Sequence, residues 1–402
     1  MNENKVLACK LLDVYEFSKE MEKYDRILIY GAGMVGQFVL DYLTKHALKD
    51  KVFCFFTTEQ QDNSICGIPV KTISSNVVSQ DDSILLLAAK RAIRKEMATK
   101  CEELHITNIK EIDVLDDRDY EYNSHIPEVA YPLELKEWYK NVTGEELNLE
   151  NPRTFNEKIN WMKLYDKDPR KTRLADKYLV REYVKEKIGE QYLIPLLGVW
   201  DKFDDIDFDK LPSQFVLKCN HGCGWNWIVK DKAKLDINDI RVHFNKWMSM
   251  NYSFVYGFEL HYTDIKPKII AEYYLEAKRH PMYEYKFMCF GGIPKFYWIR
   301  NNVEDKIERS FFDIEDRKQN FKFGDADDLS VLPPIQKETS SLLKRLVSHL
   351  CDGFKMVRVD MIVWNGSIYF GEMTFSSGSG VDSWKPYSDT INYGKYIDIN
   401  GQ

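Results

Sequence analysis

Two acidic residues near the C-terminal end of the sequence lie in a pattern that suits a metal site. Asp360 and Glu372 each belong to an apolar run, and the pair Asn365-Gly366 between the runs predicts a β-hairpin. Two carboxylates at close range repel one another unless a cation lies between them. Mg²⁺ binds carboxylate, phosphate and water oxygens at neutral pH. The hairpin therefore predicts a Mg²⁺ site if both acids share one face.

The length of the hairpin loop decides whether the two acids meet. A two-residue turn at Asn365-Gly366 places Asp360 and Glu372 on opposite faces of the sheet. A three-residue loop that begins at Trp364 places them diagonally on one face, about 7–8 Å apart. The sequence leaves both registers open, and only the second one supports a shared metal ion.

A second pattern suits phosphate binding. Lys218 ends an apolar run and is followed by the glycine-containing loop NHGCGW at 220–225. A lysine beside free loop amides can neutralise and bind a phosphate group, although a lone lysine is also a common solvated surface residue. Three potential zinc ligands lie close together: Cys219, His221 and Cys223. We do not predict zinc, because no matching second half of a zinc site is present.

A third pattern lies near the N-terminus. Gly31, Gly33 and Gly36 match G-x-G-x-x-G between an apolar run and a helical pattern, where the motif can bind a pyrophosphate. The acid that would bind a ribose comes late, at Glu59 after Thr57 and Thr58. We therefore predict a nucleotide or nucleotide sugar rather than redox use of NAD. Close packing of a helix on the sheet is the alternative reason for the glycines.

The elements that position these residues predict two domains. Apolar runs at 27–33, 52–56 and 83–89 alternate with helical patterns, which is typical of a parallel sheet covered on both faces. This α/β Rossmann-like domain is predicted to span residues 1–120, with the acidic stretch 111–123 as a linker. Residues 121–402 combine helices with strands that read as antiparallel, which predicts an α+β domain.

Two helices of the second domain can be placed from sequence. Thr154 and Glu157 form a capping-box pattern that opens a helix through Trp161 and Leu164. A second helix is predicted from about Arg173 to Lys187.

Composition excludes several classes of protein. The chain has 402 residues, 44% hydrophobic and 30% charged, which is typical of a soluble globular protein. A net charge of −7 without a long basic run argues against nucleic acid as the main partner. No run is long and apolar enough to span a bilayer, and the first 25 residues do not read as a signal peptide. The eight scattered cysteines suit a reducing, cytoplasmic setting.

Several segments of the second domain together resemble one family. They are LNLENPRTFNEKINWMKLYD, LADKYLVREYVKEKIG, FVLKCNHGCG, RVDMIVWNGSIYFGEMTF and SSGSG. The region from about 131 to 384 resembles the TupA-like (teichuronopeptide biosynthesis) branch of the ATP-grasp proteins, so an ATP-grasp domain is expected there. This resemblance implies ATP and Mg²⁺ as cofactors.

The resemblance also implies roles for individual residues. Lys177 and Lys218 match the two phosphate-binding lysines. Glu272 and Leu275 fall where the adenine binds, and Glu284 falls where the ribose hydroxyls bind. For catalysis and metal binding the matching residues are Arg358 beside the reacting phosphate, Asp360 and Glu372 as Mg²⁺ ligands, and Thr374 at a third ligand position that is commonly Asn.

The implied activity is an ADP-forming carboxylate–amine ligase. ATP would phosphorylate a carboxylate, and an amine would attack the acyl phosphate. The family points to an amide bond between an amino acid and a uronic acid or similar acid sugar in capsule or surface-polysaccharide synthesis. A local basic cleft would then hold the uronate, with Arg153, Lys158, Lys163 and Arg300 as candidates. A glycosyltransferase that uses a nucleotide sugar and a non-catalytic nucleotide-binding scaffold are the alternatives.

Overall fold

The protein divides into two compact units, Met1–Ile126 and Pro127–Gln402. The computed structural model describes residues 14–45, 47–58, 64–74, 83–89, 91–111, 120–276, 282–303, 306–323 and 337–400. Glu59 and most of the acidic stretch 111–123 lie outside these residues. Within them, no helix has the length and apolar character needed to cross a membrane.

The first unit is built on a mainly parallel sheet. Its strands are β1 (Arg26–Tyr30), β2 (Val52–Thr57), β3 (Ser64–Ile65), β4 (Ile68–Thr72), β5 (Ser83–Leu87) and β6 (Ile109–Glu111). The order is β3-β4-β2-β1-β5-β6, and all pairs are parallel except β3 with β4. Its helices are α1 (Val14–Met21), α2 (Met34–Lys45), α3 (Arg91–Glu103) and α4 (Tyr120–His125). The three apolar runs form the central strands because residues on both sheet faces are buried in two separate clusters.

The second unit contains two antiparallel sheets. The first has the order β7-β10-β8-β9, with β7 (Leu196–Trp200), β8 (Phe215–Cys219), β9 (Asn226–Val229) and β10 (Ile269–Tyr273). The second has the order β14-β13-β12-β11-β16-β17, with β11 (Met282–Phe290), β12 (Ile293–Val303), β13 (Lys306–Asp313), β14 (Lys318–Gln319), β16 (Met356–Trp364) and β17 (Ser367–Thr374). The short strands β15 (Lys322–Phe323) and β18 (Trp384–Lys385) pair with each other.

Helices cover these sheets. They are α5 (Tyr131–Thr143), α6 (Phe155–Tyr165), α7 (Arg170–Ala175), α8 (Val180–Lys187), α9 (Ile237–Ser249), α10 (Lys337–Leu350) and α11 (Ser388–Gly394). Helix α6 begins at the predicted capping box, in which the Thr154 hydroxyl accepts from the Glu157 amide and the Glu157 carboxylate accepts from the Thr154 amide. Its apolar face, with Phe155 and Ile159, packs on the inner face of the six-stranded sheet.

The helix predicted from Arg173 to Lys187 is wrong, because the chain breaks it into α7 and α8. The carboxylate of Asp176 accepts hydrogen bonds from the amides of Tyr178 and Leu179, at 2.7 and 3.1 Å. An aspartate that bonds the amides two and three residues ahead starts a new helix rather than continuing the old one. Lys177 therefore lies in the interruption, outside any helix.

Candidate active site

The hairpin formed by β16 and β17 has the two-residue turn and nevertheless places the two acids on one face. From the sequence alone, these two features were expected to exclude each other. The turn is the two-residue form, with Trp364 opposite Ser367 and positive φ at Asn365 and Gly366, 49° and 75°. Of the two loops that the sequence left open, the structure has the two-residue turn and not the three-residue loop. A β-bulge between Asp360 and Met361 then shifts the register, so Asp360 lies directly opposite Glu372 on the same face.

Gly371 is the extra residue of this bulge. Phe370 pairs with Met361 and Glu372 pairs with Asp360, which leaves Gly371 without a partner in the ladder. A Cβ at Gly371 would lie 3.0 Å from the Asp360 carbonyl oxygen and 3.3 Å from its Cβ. A side chain at this position would have to push the Asp360 backbone by a few tenths of an ångström, so glycine suits the bulge that brings the two carboxylates together.

A cluster of cations surrounds the two carboxylates. Arg358 Nη2 lies 2.7 Å from Glu372 Oε1 and 2.9 Å from Asp360 Oδ2, and its Nε lies 2.7 Å from Asp360 Oδ1. Lys286 on β11 is directly opposite Asp360 and donates to its carboxylate. The Thr374 hydroxyl donates to Glu372 Oε1 at 3.2 Å. The guanidinium of Arg358 therefore bridges the carboxylates of Asp360 and Glu372.

The electrostatics keep Glu372 ionised. Burial by itself would raise the pKa of Glu372, but Arg358, Lys286 and Lys177 outweigh it and lower the pKa to about 2. Burial opposes the charge of Arg358, and the nearby Asp360 and Glu372 nevertheless raise the pKa of its guanidinium. Glu372 and Arg358 therefore stabilise each other's charged form.

The donor set fits Mg²⁺ only as part of a larger complex. Asp360 and Glu372 supply carboxylate oxygens, and Thr374 adds a hydroxyl on the same side of the hairpin. Among the residues that the structure describes, no group of three or more His, Cys, Asp or Glu side chains could hold a metal ion. Because Mg²⁺ takes about six oxygen ligands, phosphate and water oxygens have to complete the set.

Lys218 on β8 is held by a buried carboxylate. Lys218 Nζ lies 2.6 Å from Glu272 Oε2, and Arg181 Nη1 on α8 lies 2.9 Å from Glu272 Oε1. Glu272 and Lys218 are near neighbours on one face, because Lys218 pairs with Ile270, two residues before Glu272. Glu272 therefore neutralises two cations and fixes the direction of Lys218.

Lys177 reaches the glycine loop from the break between α7 and α8. Its amide donates to the Asn220 carbonyl at 3.0 Å, and its Nζ donates to the Gly222 carbonyl. Lys177 also lies near enough to Glu372 to lower the pKa of that carboxyl. The loop that follows β8 is thus connected both to a lysine and to the carboxylate hairpin.

His221 in this loop is structural. Its Nδ1 lies 3.2 Å from Asn220 Oδ1 and its Nε2 lies 3.1 Å from the Trp247 carbonyl. Burial lowers the pKa of His221 to about 4, so the ring is neutral. Burial also raises the pKa of the Cys219 thiol, which disfavours the thiolate form that zinc binds.

The remaining candidates have varied surroundings. Glu284 on β11 lies 3.2 Å from Lys286 and 4.0 Å from Arg300, so it belongs to the same charged face as Asp360. Leu275 is buried just after β10. Residues 277–281, which follow the predicted adenine-binding segment, lie outside the described part of the chain.

Of the four residues predicted to line a basic cleft, Lys158 and Lys163 lie on α6, Arg153 precedes that helix and Arg300 lies on β12. Lys163 is buried and donates to Asn160 Oδ1 and to the Ser379 carbonyl, at 2.8 and 3.0 Å. Lys158 donates to the Ile397 carbonyl at 2.7 Å, and Arg300 lies near Glu284. Arg153 uses its backbone amide on the Glu157 carboxylate.

Sequence reasoning missed two charged residues of the site. Lys286 shares a strand face with Glu284, since side chains alternate along β11. That alternation was a usable signal. Arg181 lies on α8, and only the packing of this helix against β10 brings it to Glu272, so no local pattern indicates its role.

The glycine turn of the first unit is explained in part by packing. Gly31 has a φ of +119°, and a Cβ there would lie 2.3 Å from the Ala88 carbonyl oxygen. A Cβ at Gly36 would lie 1.8 Å from the Gly31 carbonyl oxygen. In contrast, a Cβ at Gly33 would meet nothing within 4 Å. Two of the three glycines are therefore required by the fold of the turn itself.

The sequence of residues 157–397 matches the TupA-like ATP-grasp family, and this match covers more than half of the chain. The chain belongs to the TupA-like ATP-grasp family. The enzyme class expected from the sequence, an ATP-grasp enzyme, is confirmed at the level of this family, as is an ATP-grasp fold for the second unit. No curated protein matches the sequence significantly.

Solved structures resemble the chain only loosely. D-alanine–D-alanine ligase from Bacillus anthracis is 16% identical over 87% of this chain and 86% of its own, with a TM-score of 0.31. L-amino acid ligase from Bacillus licheniformis is 12% identical over 89% of this chain and 70% of its own, with a TM-score of 0.34. Biotin carboxylase from Campylobacter jejuni is 12% identical over 96% of this chain and 73% of its own, with a TM-score of 0.35. Scores this low do not support an argument about activity.

Proposed function

We propose that this TupA-like ATP-grasp protein is an ADP-forming ligase that uses ATP and Mg²⁺ to join a carboxylate to an amine. The observation that carries the proposal is the direct pairing of Asp360 with Glu372 inside a cluster of positive side chains. Phosphoryl transfer depends on the positioning and stabilisation of negative charge, and this cluster provides both.

Each charged residue has a role in the proposal. Asp360 and Glu372 hold Mg²⁺, with the Thr374 hydroxyl as a neutral neighbour. Mg²⁺ when bound neutralises the phosphate oxygens and favours release of ADP. Lys218 and Lys177 bind the phosphate groups of ATP from separate parts of the domain, the end of β8 and the break between α7 and α8.

Arg358 stabilises charge on the phosphoryl group that is transferred. Its guanidinium already lies at the two carboxylates, so it stands beside the metal ligands without rearrangement of the backbone. Glu272 and Leu275 contact the adenine and Glu284 binds the ribose, as the family resemblance implies. Glu272 has the additional task of positioning Lys218, which its 2.6 Å ion pair supports.

For the substrates, we propose an amino acid and a uronic acid or similar acid sugar of a surface polysaccharide. The support is the family to which the chain belongs together with the motifs quoted above. A glycosyltransferase that takes a nucleotide sugar is less well supported, because it has no need of two phosphate-binding lysines besides the acidic pair.

We also propose that the first unit is a Rossmann-like domain that binds a nucleotide-linked sugar. Its strand order reverses beside β1, and open parallel sheets bind their ligands at such a point. Gly33 leaves its backbone open at the start of α2, where a phosphate group fits.

Trapping the activated acid tests the ligase proposal. The protein is incubated with ATP, Mg²⁺, hydroxylamine and a panel of uronic acids and amino acids, and both ADP and hydroxamate are measured. We expect one acid to give equal amounts of the two products. Reduction of the uronate to the neutral sugar should abolish ADP release if the uronate is the activated acid. Consumption of a nucleotide sugar without any hydroxamate would instead support the glycosyltransferase.

A further inference from the structure

A cavity of about 540 Å³ lies in the second unit among α6, α7 and the segment between Phe254 and Asp264. Its volume falls in the range of small-molecule sites. The residues that matter for its chemistry are Lys163, Lys171, His261, Asp168 and Asp264. None of them has a role in the proposed phosphate site.

A buried ring separates this cavity from the carboxylate hairpin. Phe375 follows Thr374 directly, and the Thr374 hydroxyl bonds to Glu372. The ring of Phe375 instead contacts His261, with centroids 5.9 Å apart, and lies 5.7 Å from Lys171 Nζ. Thr374 thus contacts the carboxylate hairpin, whereas the next residue, Phe375, contacts residues that line the cavity. The cavity is therefore separate from the carboxylate hairpin.

The inner part of the cavity has buried cations and an unsatisfied nitrogen. Lys163 and Lys171 are only 5% and 4% exposed. His261 Nε2 is buried and has no hydrogen-bond partner among the described residues. Burial, together with Lys171 and Lys163, lowers the pKa of His261 to about 3, so the ring is neutral and Nε2 can donate or accept. A buried polar atom without a hydrogen-bond partner destabilises the fold, and a ligand that forms this hydrogen bond removes the cost.

The ammonium group of Lys171 keeps hydrogen-bond donors that a ligand can use. It donates to Asp166 Oδ2 at 2.6 Å, and an ammonium group has three N–H donors. Lys163 is fixed by Asn160 and Ser379 and lies near the buried Glu259, and burial lowers the pKa of its ammonium group to about 7. The inner end therefore suits a carboxylate, which can accept from Lys171 and from His261 Nε2 together.

The outer part of the cavity contains an exposed carboxylate, that of Asp264. Two other acids on its lining are paired with cations: Glu128 lies 3.4 Å from Lys167 Nζ, and Asp168 lies 2.6 Å from Arg170 Nη2. A ligand whose carboxylate binds at Lys171 and His261 can therefore place an ammonium group at Asp264.

We propose that this cavity is a second ligand site that binds a free amino acid. The carboxylate of the ligand accepts from His261 and Lys171, and its ammonium group lies towards Asp264. This inference does not depend on the proposed ligase activity.

Calorimetry without ATP tests the site in the full-length protein. L-alanine, L-glutamate and L-lysine are titrated, and each one that binds is compared with its N-acetyl derivative and its carboxamide. We expect at least one to bind at millimolar concentration or better, and each derivative to bind about tenfold more weakly because one charged contact is lost. Absence of binding by all three, or equal binding of the derivatives, would overturn the proposal.

Variants then locate the binding. His261→Phe keeps a ring against Phe375 and should weaken binding about tenfold, and the exposed Asp264→Asn should weaken it severalfold. His243→Phe, at a partly buried position on α9, and Lys218→Met in the phosphate site should leave amino-acid binding unchanged. If His261→Phe folds normally and binds as well as the wild type, or if Lys218→Met abolishes binding, the site is not this cavity. Neither result bears on ADP release, which is measured separately.

Discussion

Replacement of Lys218 by Met tests whether this lysine binds the phosphates of ATP or only stabilises the fold through Glu272. In the structure, Glu272 is shared by two cations, since Lys218 lies 2.6 Å from one oxygen and Arg181 lies 2.9 Å from the other. A charge-assisted hydrogen bond to phosphate contributes about 1.5–3 kcal/mol, and each 1.4 kcal/mol is tenfold in affinity. Lys218→Met should therefore raise the Kd for ATP by about 10- to 100-fold.

Arg181→Met is the matched control for this variant. It removes the other partner of Glu272 and also the bond to the Ile194 carbonyl, at 2.8 Å. Its loss of folding stability, about 1–3 kcal/mol, should equal or exceed that of Lys218→Met. ATP affinity is measured by calorimetry and unfolding by urea titration. If Arg181→Met weakens ATP binding as much as Lys218→Met, or if Lys218→Met leaves it unchanged, direct phosphate contact by Lys218 is refuted.

The remaining predictions concern the hairpin and the first unit. Asp360→Asn and Glu372→Gln should fold but lose turnover at every Mg²⁺ concentration, and recovery of wild-type activity in a Mg²⁺ titration would contradict the metal assignment. Gly371→Ala should lower turnover severalfold by shifting the Asp360 backbone a few tenths of an ångström, with little change in ATP affinity. Because the folded pKa of Glu372 is about 2 against an ordinary 4.5, its stabilising effect is complete above pH 4.5 and is lost as the pH falls towards 2. Acid unfolding should show a smaller loss over that interval for Glu372→Gln. The first unit should form no NADH during turnover, and stoichiometric NAD in the purified protein would contradict this.

The sequence predicted the hairpin but not its register. The Asn365-Gly366 pair correctly indicates a tight turn, and by itself that turn separates the two acids. The bulge at Gly371 reverses this result, because one extra residue moves Glu372 to the face of Asp360. A glycine inside an apolar strand is a known sign of a bulge and was present in the sequence.

Residues that depend on long-range packing were beyond sequence reasoning. Lys218 was predicted to bind phosphate from its strand and loop, and this stays a prediction. Arg181 reaches Glu272 only because α8 packs beside β10. Lys163 was predicted to help hold a uronate in a local basic cleft, and the structure buries its side chain on α6 against Ser379. The break that exposes Lys177 follows from the local bonds of Asp176, which the sequence permits but does not require.

The origin of the oxygen in the released phosphate tests the proposed reaction most directly. In the proposal, a carboxylate oxygen of the acid bonds to the terminal phosphorus of ATP, and ADP leaves. The amine then bonds to the carbonyl carbon, and the phosphate leaves with that oxygen. With the acid labelled by ¹⁸O in its carboxylate, mass spectrometry should find one label in each phosphate released, together with ADP. Unlabelled phosphate, or AMP and pyrophosphate as products, would contradict the account.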